Sequence, residues 1–334
     1  MALATPYLMF VGDAPDQLAA KVAIGVVHWR PEWCKGQLRL DGCKADLGIP
    51  DMTIDDAIKA GCKTMVIGVA NRGGVIPDHW VAVIVQAIEA GMDVAAGLHR
   101  RLRDVPAIAE AAARHGRQLT DARHPPRDFD VAHGQARTGH RILTVGTDVS
   151  VGKMFTSLAI EREMKSRGMK ADFRATGQTG IFIAGDGASV DAVVADFISG
   201  AAEWLTPAND ADHWDVVEGQ GSLFHASYSG VTLGLIHGSR PDVLVLCHDA
   251  ARKEMRGTPG VPVPDLRDCI DVNERMARMF EPTARVVGVS VNTSSMDDAE
   301  ATAYLQETSD QLGLPAVDAV RTGVAAIVDE IEKL

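Results

Sequence analysis

Cysteine is scarce in this chain: Cys34, Cys43, Cys62, Cys247 and Cys269 are five residues, an odd number with no close pair. Such usage indicates neither a disulfide framework nor a zinc site. Positive charge is also in deficit, with 33 Lys and Arg against 45 Asp and Glu and a net charge of −12. A chain so acidic has no general attraction for nucleic acid or an anionic membrane, so an anionic ligand must meet a local cluster of Arg and Lys. No apolar run reaches membrane-spanning length. The stretch Met1–Pro6 has neither the basic start nor the long apolar run of a signal peptide. Together these absences predict a cytoplasmic protein with no membrane or nucleic-acid partner. Internal repeats and low-complexity tracts are missing too. No Gly-x-Gly-x-x-Gly follows the first strand, so a dinucleotide is not indicated there.

What is present fits two domains. The chain has 334 residues, 46% of them apolar, which is ample for two cores. Tyr7–Val11 reads as a strand, and PDQLAAKVAIGVVHW has the apolar spacing of a helix. A strand within Arg30–Leu40, a helix over Ile54–Ala60, a strand at Thr64–Ala70 and a helix over Trp80–Ala90 follow. Asp93–Ala96, a helix over Val105–Arg114 and a short strand at Gln118–Thr120 complete the alternation. That pattern predicts an α/β fold with a Rossmann-like parallel sheet over residues 1–120. Residues 121–140 are polar, rich in Pro and Gly, and read as a linker. Their three His are irregularly spaced, which favours a solvated linker over a metal site.

Residues 141–334 predict a second α/β domain, a doubly wound parallel sheet of the P-loop NTPase-like kind. Ile142, Leu143 and Val145 lead to Gly146, a loop ends at Gly152-Lys153, and a helical pattern continues to about Ser166. Strand, glycine loop, Lys and helix in register predict a diphosphate site, with backbone N–H groups and the helix N-terminus facing the anion. The spacing is one residue longer than the standard loop, and Met154 stands where a nucleotide hydrolase has Ser or Thr for Mg²⁺. Thr156 lies two residues on and does not by position replace that ligand. The loop therefore indicates diphosphate without indicating ATP hydrolysis. MKADFRATGQTG reads as a strand and loop, Ser189–Ala201 as a helix, and His213–His225 as a strand carrying Glu218 at its carboxyl end. Further strands are expected at Asp242–Ala250, Arg285–Ser295 and Pro315–Val320, with helices at Tyr228–Ile236, Asp297–Leu312 and Gly323–Lys333. Ligands of open α/β sheets sit outside the carboxyl ends of the strands. Gly146–Lys153, Ala175–Gly180, Glu218–Gly221, His248 and Asn292 all fall on that rim.

GTDVSVGK, ATGQTG, VEGQGS and VNTS resemble, in order and spacing, the phosphate-loop domain of dethiobiotin synthetase, which has a Thr after the Lys and lacks the N-terminal domain. YLMFVGDAPDQLAAKVA, GQLRLDGCKADLG, VGTDVSVGKM, RATGQTG, VEGQGSL and LCHDAAR give a resemblance over nearly the whole chain. They resemble a small bacterial family that includes the DgcN-type D-glutamate N-acetyltransferases, in which Met after the Lys is the rule. The resemblance implies acetyl transfer from acetyl-CoA to the amino group of D-glutamate, with no metal required. The alternative is a nucleotide-dependent kinase or ligase of the dethiobiotin synthetase type; a third class is a nucleotide sensor with no chemistry.

On the acetyltransferase reading, Gly146, Thr147, Ser150, Val151, Gly152, Lys153, Met154 and Phe155 surround the phosphates of coenzyme A. Transfer needs a base, an oxyanion site and a leaving thiolate. Glu218 is either the base or an anchor of its loop; His225 is an alternative base or a structural residue. Asp148 orients Lys153 or meets the substrate amine. Backbone N–H groups at Thr179–Gly180 and Gly219–Gly221 are the candidate oxyanion donors. The two carboxylates of D-glutamate call for basic side chains, and Arg30, Lys44, Arg72, Arg100 and Arg174 are the candidates, with Gln178 and Thr179 adding neutral hydrogen bonds. Cys43 and Cys247 are acyl carriers or, more simply, packing residues. A homodimer is expected for a cleft enzyme of this size.

Overall fold

In the computed structural model, which describes residues 3–71, 74–125 and 127–334, the chain forms two compact units. The first takes the residues up to 127 together with 177–192; the second takes 128–176 and 193–334. Each holds one all-parallel sheet.

The first sheet is built from β1 (Tyr7–Gly12), β2 (Cys34–Arg39), β3 (Thr64–Ile67), β4 (Asp93–Ala96) and β5 (Leu119–Asp121), in the order β2-β1-β3-β4-β5. β1, YLMFVG, is buried along its whole length because helices cover both faces of a parallel sheet, which explains its unbroken apolar run. In register, Leu8 pairs with Met65 and Phe10 with Ile67. The crossover helices are α1 (Lys21–Trp29), α2 (Ile54–Lys59), α3 (Asp78–Glu89) and α4 (Pro106–His115). One core joins Leu8, Phe10, Met65 and Ile67 to Trp80, Ile84 and Ile88 of α3. The buried indole of Trp80 keeps its N–H satisfied on Asp13, 2.8 Å away.

The second sheet runs β11-β10-β9-β6-β8-β7. Its strands are β6 (His140–Gly146), β7 (Lys170–Arg174), β8 (His213–Val217), β9 (Val243–Asp249), β10 (Arg285–Asn292) and β11 (Ala316–Val317). β6 is flanked by β8 and β9. The strand order reverses around β6, so the crevice for a ligand opens at its carboxyl end. α5 (Lys153–Ser166) follows the loop after β6. No helix among the described residues is long and apolar enough to cross a membrane.

Three differences from the expected elements have physical causes. The second half of ATGQTG forms a helix, α6 (Gln178–Ala184), and belongs to the first unit, where Ile181, Phe182 and Ile183 are buried. The expected helix at Ser189–Ala201 is broken: Ser189 Oγ bonds Asp191 and Ala192 N bonds Ser189 O, closing a short turn. The chain then changes unit, and α7 (Ile198–Leu205) forms beyond it. Between α8 (Ser229–Ser239) and β10 lies an unexpected helix, α9 (Leu266–Ala277), capped by the Asp265 carboxylate. The chain closes with α10 (Asp298–Leu312) and α11 (Ala325–Ile331).

Candidate active site

The loop leaving β6 is shaped by glycine and by one strained residue. A side chain at Gly146 would lie 2.9 Å from Lys153 Nζ and from the Asp148 carbonyl oxygen, so the strand end tolerates none. Ser150 has φ 55° and Gly152 φ 99°, both left-handed, and these turn the chain into α5. Among the described residues, the backbone N–H groups of Ser150 to Met154 meet no protein acceptor. A row of free N–H groups at a helix N-terminus is a ready anion cradle. Gly146, Thr147, Val151 and Lys153 are buried; Met154 and Phe155 are half-buried; Ser150 and Gly152 are exposed. Lys153 Nζ donates to Asp148 O at 2.8 Å, and burial pulls its pKa down to about 8.

Asp148 is wholly buried, and its carboxylate accepts from Val149 N at 2.6 Å, Arg256 N at 2.7 Å and Arg252 Nη1 at 2.9 Å. Burial alone would raise its pKa, but these donors hold the carboxyl below its usual range. Arg252 also bonds Val149 O at 2.5 Å, so it pins the loop from outside. These bonds make Asp148 an organiser of the loop. The Nδ1 of His225 accepts from Ser227 N at 3.1 Å and its Nε2 donates to Arg256 O at 3.0 Å, so both ring nitrogens have protein partners. His248 Nδ1 lies 3.1 Å from the Thr147 hydroxyl, and burial lowers its pKa, keeping it neutral.

Glu218 follows β8 directly, buried, with Oε2 accepting from Thr176 N at 2.9 Å. The Thr176 hydroxyl donates back to Glu218 O at 2.7 Å, and Gln220 Nε2 reaches that hydroxyl at 3.2 Å. Gly219 presses against β6, where a Cβ would fall 1.6 Å from Thr144 O. Its N–H donates to Thr144 Oγ1 at 2.9 Å, which removes it from the candidate oxyanion donors. Thr156, two residues after Met154, is held between the loop and the core: its hydroxyl lies 3.1 Å from Gly152 O and 2.8 Å from Ser290 Oγ, and it accepts from the Cys247 thiol at 3.5 Å. It does not stand in for the hydroxyl that Met154 lacks.

The basic residues expected at the substrate carboxylates fall in both units. Lys44 and Arg100 are exposed in the first unit, and Arg30 lies over the Trp33 ring at 5.5 Å. Arg72 lies outside the described residues. Arg174, in the second unit, is bound to Asp215 at 2.7 Å. Gln178 and Thr179 sit in the first turn of α6, Thr179 against Gly25 of α1. Cys247 is a packing residue, its thiol buried and pushed up to about 11. The sequence reading missed Arg252, Thr176 and Thr144. The signal for Arg252 was its place in LCHDAAR, directly after a strand on the ligand rim.

A parallel α/β chain with a phosphate loop at the reversal of its sheet is the class that these features define. Residues 130–328 match the family described as "Domain of unknown function (DUF1611_C) P-loop domain". Residues 38–125 match "Domain of unknown function (DUF1611_N) Rossmann-like domain". The chain belongs to the DUF1611 family. It is 55% identical over 327 residues to a protein of Tritonibacter scottomollicae named D-glutamate N-acetyltransferase, covering 98% of both chains. It is 46% identical over 328 residues to a protein of the same name from a Pseudoalteromonas species, covering 98% of this chain and 99% of that one. The crystal structure of a DUF1611 family protein from Anabaena variabilis superposes with a TM-score of 0.85 at 32% identity, over 99% of this chain and 100% of that one.

Proposed function

We propose that this chain is a D-glutamate N-acetyltransferase and that its acetyl donor is acetyl-CoA, held by its phosphates at the Gly146–Phe155 loop. The observation that carries the reading is near-full-length similarity, at 55% and 46% identity, to two proteins of that name. The site supports the donor assignment. Free N–H groups from Ser150 to Met154 and the Lys153 ammonium suit a diphosphate, while Met154 offers no hydroxyl for Mg²⁺. Thioester acyl transfer needs none.

In the reaction the amine, as free base, attacks the thioester carbonyl carbon. The C–N bond forms, the C–S bond breaks, and coenzyme A leaves as thiolate. The proton shed by the amine passes to a base and from it to the thiolate. We assign that role to Glu218, the buried carboxylate beside the loop whose charge acts on Lys153. Its hydrogen bond from Thr176 N orients one carboxylate oxygen.

The test is coenzyme A release from acetyl-CoA with D- or L-glutamate as acceptor, without nucleotide or Mg²⁺. Release with D-glutamate and N-acetylglutamate in the mass spectrum is the expected result. Silence with both acceptors, but turnover once Mg-ATP is added, would replace the reading with a kinase or ligase.

A further inference from the structure

The mechanism leaves unused a small cavity in the first unit, at the carboxyl ends of β3 and β4. It has a volume of about 60 Å³ and is lined by Asn71, Gly97, His99, Arg123 and Gln178 among others. Two of its polar atoms are orphaned. Asn71 Oδ1 and Gln178 Oε1 are shielded from solvent and have no hydrogen-bond partner. The Asn71 amide cannot be turned over to hide this, because its Nδ2 donates to Val75 O at 2.9 Å and fixes the oxygen as the free end. Gln178 is fitted to the place: a Cβ on Gly97 would lie 2.7 Å from its Oε1. Arg123 completes the lining. Its Nε bonds Gly97 O at 3.2 Å and its Nη1 bonds Asp191 at 3.2 Å, while Nη2 meets no protein acceptor among the described residues.

A buried polar atom without a partner is costly, and its persistence points to a partner that the chain does not supply. Two acceptors call for a ligand with several donors on one atom, which is an ammonium. A guanidinium arm beside them calls for a carboxylate. We propose that this cavity binds the α-ammonium-carboxylate head of an amino acid, with Asn71 and Gln178 accepting from the ammonium and Arg123 facing the carboxylate. The volume holds roughly four to six water-sized groups, and such a head has five non-hydrogen atoms. The assignment rests on the acetyltransferase reading only in naming D-glutamate as the amino acid.

The experiment measures D-glutamate binding by calorimetry and the KM of each substrate, for wild type, Asn71→Leu, Gln178→Leu, Gly97→Ala and Gln178→Glu. Glutarate, which lacks the ammonium, is the control ligand. Loss of one acceptor should raise the Kd and KM for D-glutamate about tenfold or more, with glutarate and acetyl-CoA binding unchanged as the sign of a folded chain. Gly97→Ala should act in the same direction by displacing the Gln178 amide. Gln178→Glu, which keeps an acceptor, should stay within about threefold of wild type. If wild type acetylates D-glutamate and the leucine variants keep its KM, the cavity assignment fails and the function stands. Binding of D-glutamate that the leucine variants abolish, with no acetyl transfer by wild type, would sustain the cavity and overturn the function. Absence of both binding and turnover in wild type overturns both.

Discussion

Lys153→Met should make the ligand-free protein more stable at neutral pH, although it removes the charge expected to hold the ligand. Lys153 is 6% exposed, and burial brings its pKa from 10.5 to about 8. That depression is about 3 kcal/mol against the charged form in the folded state. The substitution also removes the 2.8 Å bond to Asp148 O, worth about 1 kcal/mol net. Methionine is close to the lysine stem in volume, so no large cavity opens. The balance is a gain of about 2 kcal/mol at pH 7. The sign with pH follows from linkage. The folded pKa lies below the unfolded one, so the cost of the charge is present in full below about pH 8 and fades as pH rises toward 10.5. Urea unfolding at pH 7 and at pH 10.5, followed by fluorescence of Trp214 in the same unit, reads the difference. The variant should have the higher midpoint at pH 7 and lose that advantage at pH 10.5. A variant less stable at pH 7, or a gain equal at both pH values, would refute the reasoning.

Acetyl-CoA affinity should fall about tenfold between pH 7 and pH 9, because Lys153 must regain a proton to hold phosphate. Calorimetry in two buffers of different ionisation enthalpy should show proton uptake above pH 8, and a flat affinity would contradict the assignment of Lys153. Asp148→Asn replaces one acceptor oxygen with an NH2 donor that faces Val149 N, or Arg256 N and Arg252. It should destabilise the chain by about 3 kcal/mol and raise the KM for acetyl-CoA more than that for D-glutamate, whereas equal changes in both would argue for a direct role at the amine. Glu218→Gln should lower kcat while leaving the acetyl-CoA Kd within about twofold; near-normal turnover would exclude it as the base. Gly219→Ala places a Cβ 1.6 Å from Thr144 O. It should cost about 3 kcal/mol or more, seen as a lowered melting temperature, and a wild-type melt would show that the strand ends can part.

The parts of the fold that sequence made legible are those whose burial is continuous. β1, Met65–Ile67 of β3 and Val243–Cys247 of β9 are unbroken apolar runs because both faces of a parallel sheet are covered, and the phosphate loop is announced by a strand, two glycines, a lysine and a helix within one short stretch. α9 went unread although its buried Cys269, Ile270, Asn273 and Ala277 recur at helical spacing. The membership of 177–192 in the first unit is a matter of long-range packing that no periodicity reports. The site was harder for a different reason. A carboxylate or imidazole at a strand end has the same sequence signature whether it is a catalyst or a strut. The hydrogen bonds that tie Asp148 and His225 to Arg252, Arg256 and Ser227 are long-range or backbone contacts that no local pattern reports, and Arg252 lies 104 residues from Asp148 in the chain.

Those same bonds bear on what the loop is built to hold. A loop for a Mg-nucleotide sets a hydroxyl beside its lysine and aims it at the metal. Here Met154 occupies that position, and the hydroxyl of Thr156, two residues on, is bonded to Gly152 O, Ser290 and Cys247. The acidic residue inside the loop is neutralised from without, since Asp148 is paired with Arg252 and two backbone N–H groups. The partner of Lys153 Nζ is therefore not that carboxylate but the neutral carbonyl oxygen of Asp148. Binding a phosphate there would replace the contact with a neutral carbonyl by a charge-assisted one and offset the desolvation that lowers the pKa of the ligand-free lysine. A loop organised in this way gains its affinity from the anion itself, which is what a coenzyme A phosphate offers without a metal to carry it.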